Sequence, residues 1–167
     1  MRRLILMMFS VLFLFGGAAG CDRDHSVMVS NTDNANKEIN DTNQTKGSKM
    51  KIKIGSKTFN ATLFDNETAN AFKAMLPLTL KMDELNGNEK KYDFSNDLPT
   101  DSSNPKTINN GDLMVWGNNT LVLFYKTFST RYSYTKLGKV DDPSGLEAAV
   151  GSGDVTVTFE LEQSSGE

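Results

Sequence analysis

From Met50 onward the chain is written in short runs of alternating apolar and polar residues, cut by glycine- and asparagine-rich turns. Successive side chains on a strand point to opposite faces, so each such run is a strand with one face buried. MKIKIG sets Ile52 and Ile54 against Lys51 and Lys53, Gly55-Ser56 turns the chain, and Lys57 to Phe64 continues with Phe59, Ala61 and Leu63 on one side. Leu78, Leu80 and Met82 alternate again, Asn86-Gly87 is a strong hairpin signal, and Glu89 to Phe94 reads as extended. Asp112 to Trp116 and Leu121 to Lys126 form a hairpin through Gly117-Asn118-Asn119; Leu137 to Val140 is a short strand. The clearest alternation comes last, with Val155, Val157, Phe159 and Leu161 set against Thr156, Thr158, Glu160 and Glu162. Sheets of this kind must manage their exposed edges, and closure does so completely. The expected fold is therefore mainly β, a closed β-barrel with one or two short helices.

The helices have their own signals. Asp65-Asn66 can cap a helix that carries Ala69, Phe72, Met75 and Leu76 at helical spacing and stops at Pro77. This helix is expected to cover the core. A second is expected from Asp142, with Pro143 at its first helical position, Leu146, Ala149 and Val150 facing inward, and Gly151 ending it. Between Ser95 and Asn110 the chain is polar and holds two prolines, which reads as a long surface loop.

The first 49 residues are different material. Arg2 and Arg3 precede an apolar run from Leu4 to Phe15, and small residues then lead up to Cys21, the chain's single cysteine. The run is about a dozen residues, short of the ~20 that cross a bilayer. Residues 1–20 therefore read as a secretory signal peptide. Ala18-Ala19-Gly20-Cys21 resembles a bacterial lipoprotein lipobox, which implies acylation of Cys21 and a membrane partner through the lipid anchor. Residues 21–49 are rich in Asn, Asp, Thr and Lys, and are expected to be a flexible tether spanning roughly 30 Å on average. Residues 50–162 form the domain and 163–167 a polar tail. With Cys21 acylated, no disulfide can staple the domain, so its core must hold it. The formal charge is -3, with no basic stripe, which argues against nucleic-acid binding. The expected address is the bacterial cell envelope, facing the periplasm or the exterior.

Several segments carry a resemblance across the whole globular part: MKIKIGSKTFNATLFDNETANAFKAMLPLTLKM, ELNGNEKKYDF, GDLMVWGNNTLVLFYKTFSTRYSYTKLGKVDDPSGL and VTVTFE. Together they resemble bacterial cyclophilin-like proteins. The resemblance implies a closed β-barrel with short helices, similar to cyclophilin. It implies little about activity, because members are not established as prolyl isomerases. Some relatives resemble domains joined to flavodoxin-type proteins, which implies redox neighbours.

The only histidine, His25, lies in the tether, so a Ser-His-Asp triad, a Cys-His pair and a histidine-based zinc site are all absent from the domain. Prolyl isomerisation needs an apolar proline pocket and a donor near the imide nitrogen. Arg131 is the domain's one arginine and the candidate catalytic residue, flanked by Phe128, Tyr132 and Tyr134. Trp116, Phe124, Tyr125, Phe128, Tyr132 and Tyr134 concentrate aromatic side chains in one third of the chain, and aromatics with polar tips suit binding surfaces. Alternation should bury one of Phe124 and Tyr125. Asn86 and Glu89 flank a turn, where Glu89 could accept a hydrogen bond from a ligand amine. The ligand-binding candidates are thus Asn86, Glu89, Trp116, Tyr125, Phe128, Arg131, Tyr132 and Tyr134. No metal site and no cofactor are expected. The function expected is non-catalytic binding of a peptide, protein or small molecule. The alternatives are weak prolyl isomerisation and an accessory role in a flavodoxin-type redox system.

Overall fold

In the computed structural model, residues 47–162 are described. Cys21, His25, the signal segment, nearly all of the tether and the tail at 163–167 lie outside the described residues. Ten strands and two helices follow in order: β1 (Ser48–Ile54), β2 (Lys57–Leu63), α1 (Glu67–Ala74), β3 (Leu78–Leu85), β4 (Glu89–Asp93), β5 (Thr107–Ile108), β6 (Asp112–Trp116), β7 (Thr120–Phe124), β8 (Phe128–Ser129), β9 (Tyr134–Val140), α2 (Leu146–Val150) and β10 (Val155–Leu161). Eight strands close into an antiparallel barrel in the order β1-β10-β3-β4-β7-β6-β9-β2, while β5 and β8 pair as a separate ribbon. A barrel of this strand number is narrow enough for side chains to fill. Ile52, Ile54, Ala61, Leu63, Met82, Leu113, Leu121, Leu123, Leu137, Val157 and Phe159 do so.

The helices seal this core. The Asn66 side chain accepts from the Ala69 amide and caps α1, as the sequence suggests. Phe72 is fully buried and meets Phe159 edge-on at 5.7 Å. α1 spans from the end of β2 to the start of β3, so it lies at the barrel end where β2 finishes and β3 begins. α2 is shorter than expected. It begins at Leu146 behind a left-handed Gly145, and Pro143 precedes it rather than opening it. Asp142 instead accepts from the Ser144 amide and shapes the turn. Leu146 and Val150 are buried at the opposite barrel end.

Two features shape the outer wall. The segment from Ser95 to Asn110 is pinned rather than free: Leu98 is buried, Ser103 bridges Tyr134, and β5 pairs with β8. It lays Ile108 over a second cluster, formed by Met114, Val122, Phe124 and Tyr134 outside the barrel. That cover explains why Phe124 and Tyr125 are both buried, one outward and one inward. The other feature is a bulge in β9. Leu113 pairs with Gly138, yet Met114 pairs with Lys136, so Leu137 is the extra residue. A bulge shifts the facing of every residue beyond it. Here it sets Tyr134 opposite Trp116 on the outer face, where an unbroken register would set Thr135.

Candidate functional site

The outer faces of β4, β7, β6 and β9 form a depression of about 320 Å³. Its floor is Val122 and Thr120. One wall is the β3–β4 turn with Leu85 and Asn86, and the other holds Trp116, Tyr132 and Tyr134. Glu89, Lys91 and Asp93 run along its β4 edge. Register produces the arrangement. Glu89 pairs with Phe124, Lys91 with Val122 and Asp93 with Thr120, while Trp116 stands between Thr120 and Tyr134. All of these side chains therefore share the face that the barrel interior does not use.

The turn is built by its residue types. Asn86 (φ 58) and Gly87 (φ 70) both adopt left-handed backbone at the centre of the turn that the Asn88 amide closes on the Leu85 carbonyl, within a three-residue connection between the paired Leu85 and Glu89. Asn86 thereby stands next to Glu89 on the same wall. Glu89 is 8% exposed. Burial pushes its carboxyl above the usual range, the Asn86 contact opposes this, and the nearby Glu84 charge adds to it. The other acid of this lining, the exposed Asp93, has a cation. Lys91 donates to Asp93 at 2.7 Å, and this bond holds the Asp93 carboxyl below its usual range. Tyr134 is packed edge-on against Phe124 at 5.5 Å. Burial raises its phenol, and the charge of Glu89 raises it further. Trp116 and Tyr132 are 51% and 66% exposed, the two most open large apolar side chains among the described residues.

Five of the eight sequence-selected residues, Asn86, Glu89, Trp116, Tyr132 and Tyr134, meet in this depression. Three do not. Arg131 is exposed and lies outside the lining. Phe128 packs on Phe124 at 5.8 Å, as part of the outer cluster. Tyr125 points inward, because it follows Phe124 on the strand, and its hydroxyl donates to Glu84 at 2.8 Å. Leu85, Lys91, Asp93, Thr120 and Val122 were not singled out from the sequence. Alternation along β4 from Glu89 would have drawn in Lys91 and Asp93.

Behind the site, Tyr125 joins a buried polar knot. Lys90 is fully buried and donates to Glu84, to the Gly151 carbonyl at 2.9 Å and to the Gly153 carbonyl at 2.6 Å. Its three N–H donors are thus all used. Burial acts upward on the Glu84 carboxyl, but bonds from Lys90, Tyr125 and the Gly87 amide outweigh it and hold the group below its usual range. Burial and the Glu84 bond push the Tyr125 phenol far up. The knot ties β3, β4 and β7 to the connection between α2 and β10.

A second depression of about 630 Å³ lies by the start of α1, lined by polar groups such as Thr68, Ser103 and Thr135. Three of its polar side chains are engaged: Asn66 caps α1, Thr68 donates to the Pro99 carbonyl at 2.6 Å, and Thr135 accepts from the Asp101 amide. Asp141 is bound to Lys49 at 3.0 Å and accepts from the Thr62 hydroxyl. Among the described residues, no group of His, Cys, Asp and Glu could hold a metal ion.

A closed eight-stranded antiparallel barrel plugged by short helices, with a lined depression on its outer wall, defines the class of fold. A model of the cyclophilin-like family matches residues 52–160, and the chain belongs to that family. In three dimensions it is similar to the solution structure of a hypothetical protein from Archaeoglobus fulgidus. The TM-score is 0.55 at 16% identity, covering 72% of this chain and 99% of that one. No curated protein is significantly similar in sequence.

Proposed function

We propose that this is an envelope lipoprotein whose cyclophilin-like domain is a non-catalytic binding module for a peptide or small ligand. The observation that carries the reading is the pairing of exposed Trp116 and Tyr132 with the buried carboxylate of Glu89 around one depression. Apolar walls with a few convergent polar groups are the usual make-up of ligand sites. Isomerase chemistry is less well supported, because Arg131 lies off the lining, and Lys91, the cation that does line it, is bound to Asp93.

Trp116 is the chain's single tryptophan, so its fluorescence reports on this depression alone. A binder changes that emission in a saturable way with short peptides, and leaves cis/trans exchange of an X-Pro peptide unaltered by NMR. Accelerated exchange would replace binding by catalysis. Anchoring is tested separately: Cys21→Ala is expected to abolish metabolic labelling with a fatty acid, and persistent labelling would end the lipoprotein reading.

A further inference from the structure

We propose that the depression selects an organic cation, an alkylammonium group on an apolar stem, with the charge at Glu89 and the stem against Trp116, Tyr132 and Val122. This rests on the binding reading above and names its ligand class. Glu89 is 8% exposed, and the polar side chain acting beside it is the neutral Asn86 amide. Among the described residues it forms no ion pair, whereas Glu84, Asp93 and Asp141 each have a lysine. A buried carboxylate without a cation is costly, and an incoming cation offsets that cost.

The surroundings point the same way. Glu84 is the charge that acts on Glu89, and it opposes a second negative charge there. Lys91 is committed to Asp93, so an anionic ligand would meet Glu89 with no free cation facing it from the lining. Three aromatic rings border the same space, and an ammonium over an aromatic face is attracted by the ring's quadrupole. The shared chemistry can come from a free amine or from a lysine side chain of a peptide.

The test uses the ¹⁵N-labelled chain from Asp22 onward with Cys21 absent, followed by heteronuclear NMR at fixed ionic strength. The probes are n-butylammonium, its neutral counterpart n-butanol, acetyl-Gly-Lys-Gly-amide, and the same peptide with norleucine. The expected result is saturable shifts at the Trp116 indole and at Glu89 with both cations, and binding at least about tenfold weaker with both neutral probes or with Glu89→Gln. Tighter binding of the lysine peptide than of n-butylammonium assigns the cation to a peptide; equal binding assigns it to a free amine. Equal affinity for charged and neutral probes, or unchanged binding by Glu89→Gln, overturns the cation assignment while the binding module stands. If no probe shifts Trp116, and X-Pro peptides and flavin mononucleotide also leave it unmoved, the binding reading falls as well.

Discussion

Replacing Lys90 by methionine removes a cation from the interior and leaves its partners behind. The side chain is fully buried, whereas Glu84 is 20% exposed. Breaking a buried ion pair from one side costs about 3–5 kcal/mol, because the remaining charge is uncompensated. Two features place this case at the lower end. Glu84 keeps the Tyr125 hydroxyl and the Gly87 amide as donors, and the Gly151 and Gly153 backbone lies at the surface where water can replace Nζ. The expected loss is ~3 kcal/mol, or on the order of 10 °C in Tm for a domain of this size. Urea denaturation followed by far-UV circular dichroism measures it. Adding Glu84→Gln to Lys90→Met removes the stranded charge and is expected to restore at least half of the loss.

The pH profile gives an independent sign. The Glu84 carboxyl sits below its usual range when folded, so the unfolded chain takes up that proton first. Its stabilisation is complete above the ordinary glutamate range and is lost as the pH falls through the lower, folded value. Lys90→Met removes most of that acid-side dependence. A single variant within about 1 kcal/mol of the parent, or a double variant no better than the single, would refute the argument that charge compensation by Lys90 holds the knot.

Glu89 has the opposite sign. Burial raises its folded carboxyl, so its contribution is complete below the ordinary glutamate range and is lost as the pH rises through the folded value. Glu89→Gln is therefore expected to be at least as stable as the parent near neutrality, and a loss of stability measured there by urea denaturation would contradict the burial argument. Phe72→Ala opens a cavity under α1 and is expected to cost about 3–5 kcal/mol, against less than about 1.5 kcal/mol for Phe72→Leu, both read by thermal denaturation. Gly138→Ala puts a Cβ 2.6 Å from the Thr62 carbonyl oxygen, a backbone atom that cannot swing away. The strands β2 and β9 must separate, at a cost of about 1–3 kcal/mol, and an unchanged Tm would show that the bulge tolerates a methyl group.

Much of the barrel was legible because its determinants are local. The alternation of Ile52 and Ile54 with Lys51 and Lys53, the Asn86-Gly87 turn and the Asn66 cap each depend on a few neighbouring residues, and each folds as its pattern implies. The closed mainly-β fold follows from those patterns together with the cyclophilin-like resemblance. The start of α2 was missed for a related reason: Asp142 and Pro143 suit a helix start and a turn equally well, and only packing of Leu146 and Val150 chooses between them.

For the site, the sequence by itself determined which chemistry was available: one tryptophan, tyrosines around it, and a glutamate after a tight turn. The tertiary structure decided which of those groups meet. Alternation says that Phe124 and Tyr125 face opposite ways, but only the cover from Ile108 and Phe128 makes the outward side buried as well. Lys90 reads as a surface charge until the barrel closes and sets it against Glu84 and the Gly151 and Gly153 carbonyls, contributed by distant segments. Tyr134 reaches Trp116 because of the extra residue Leu137, and a bulge exists only relative to a partner strand. Periodicity along one strand sets the facing of its own side chains; register between strands far apart in the chain sets their neighbours, and the depression is made of such neighbours.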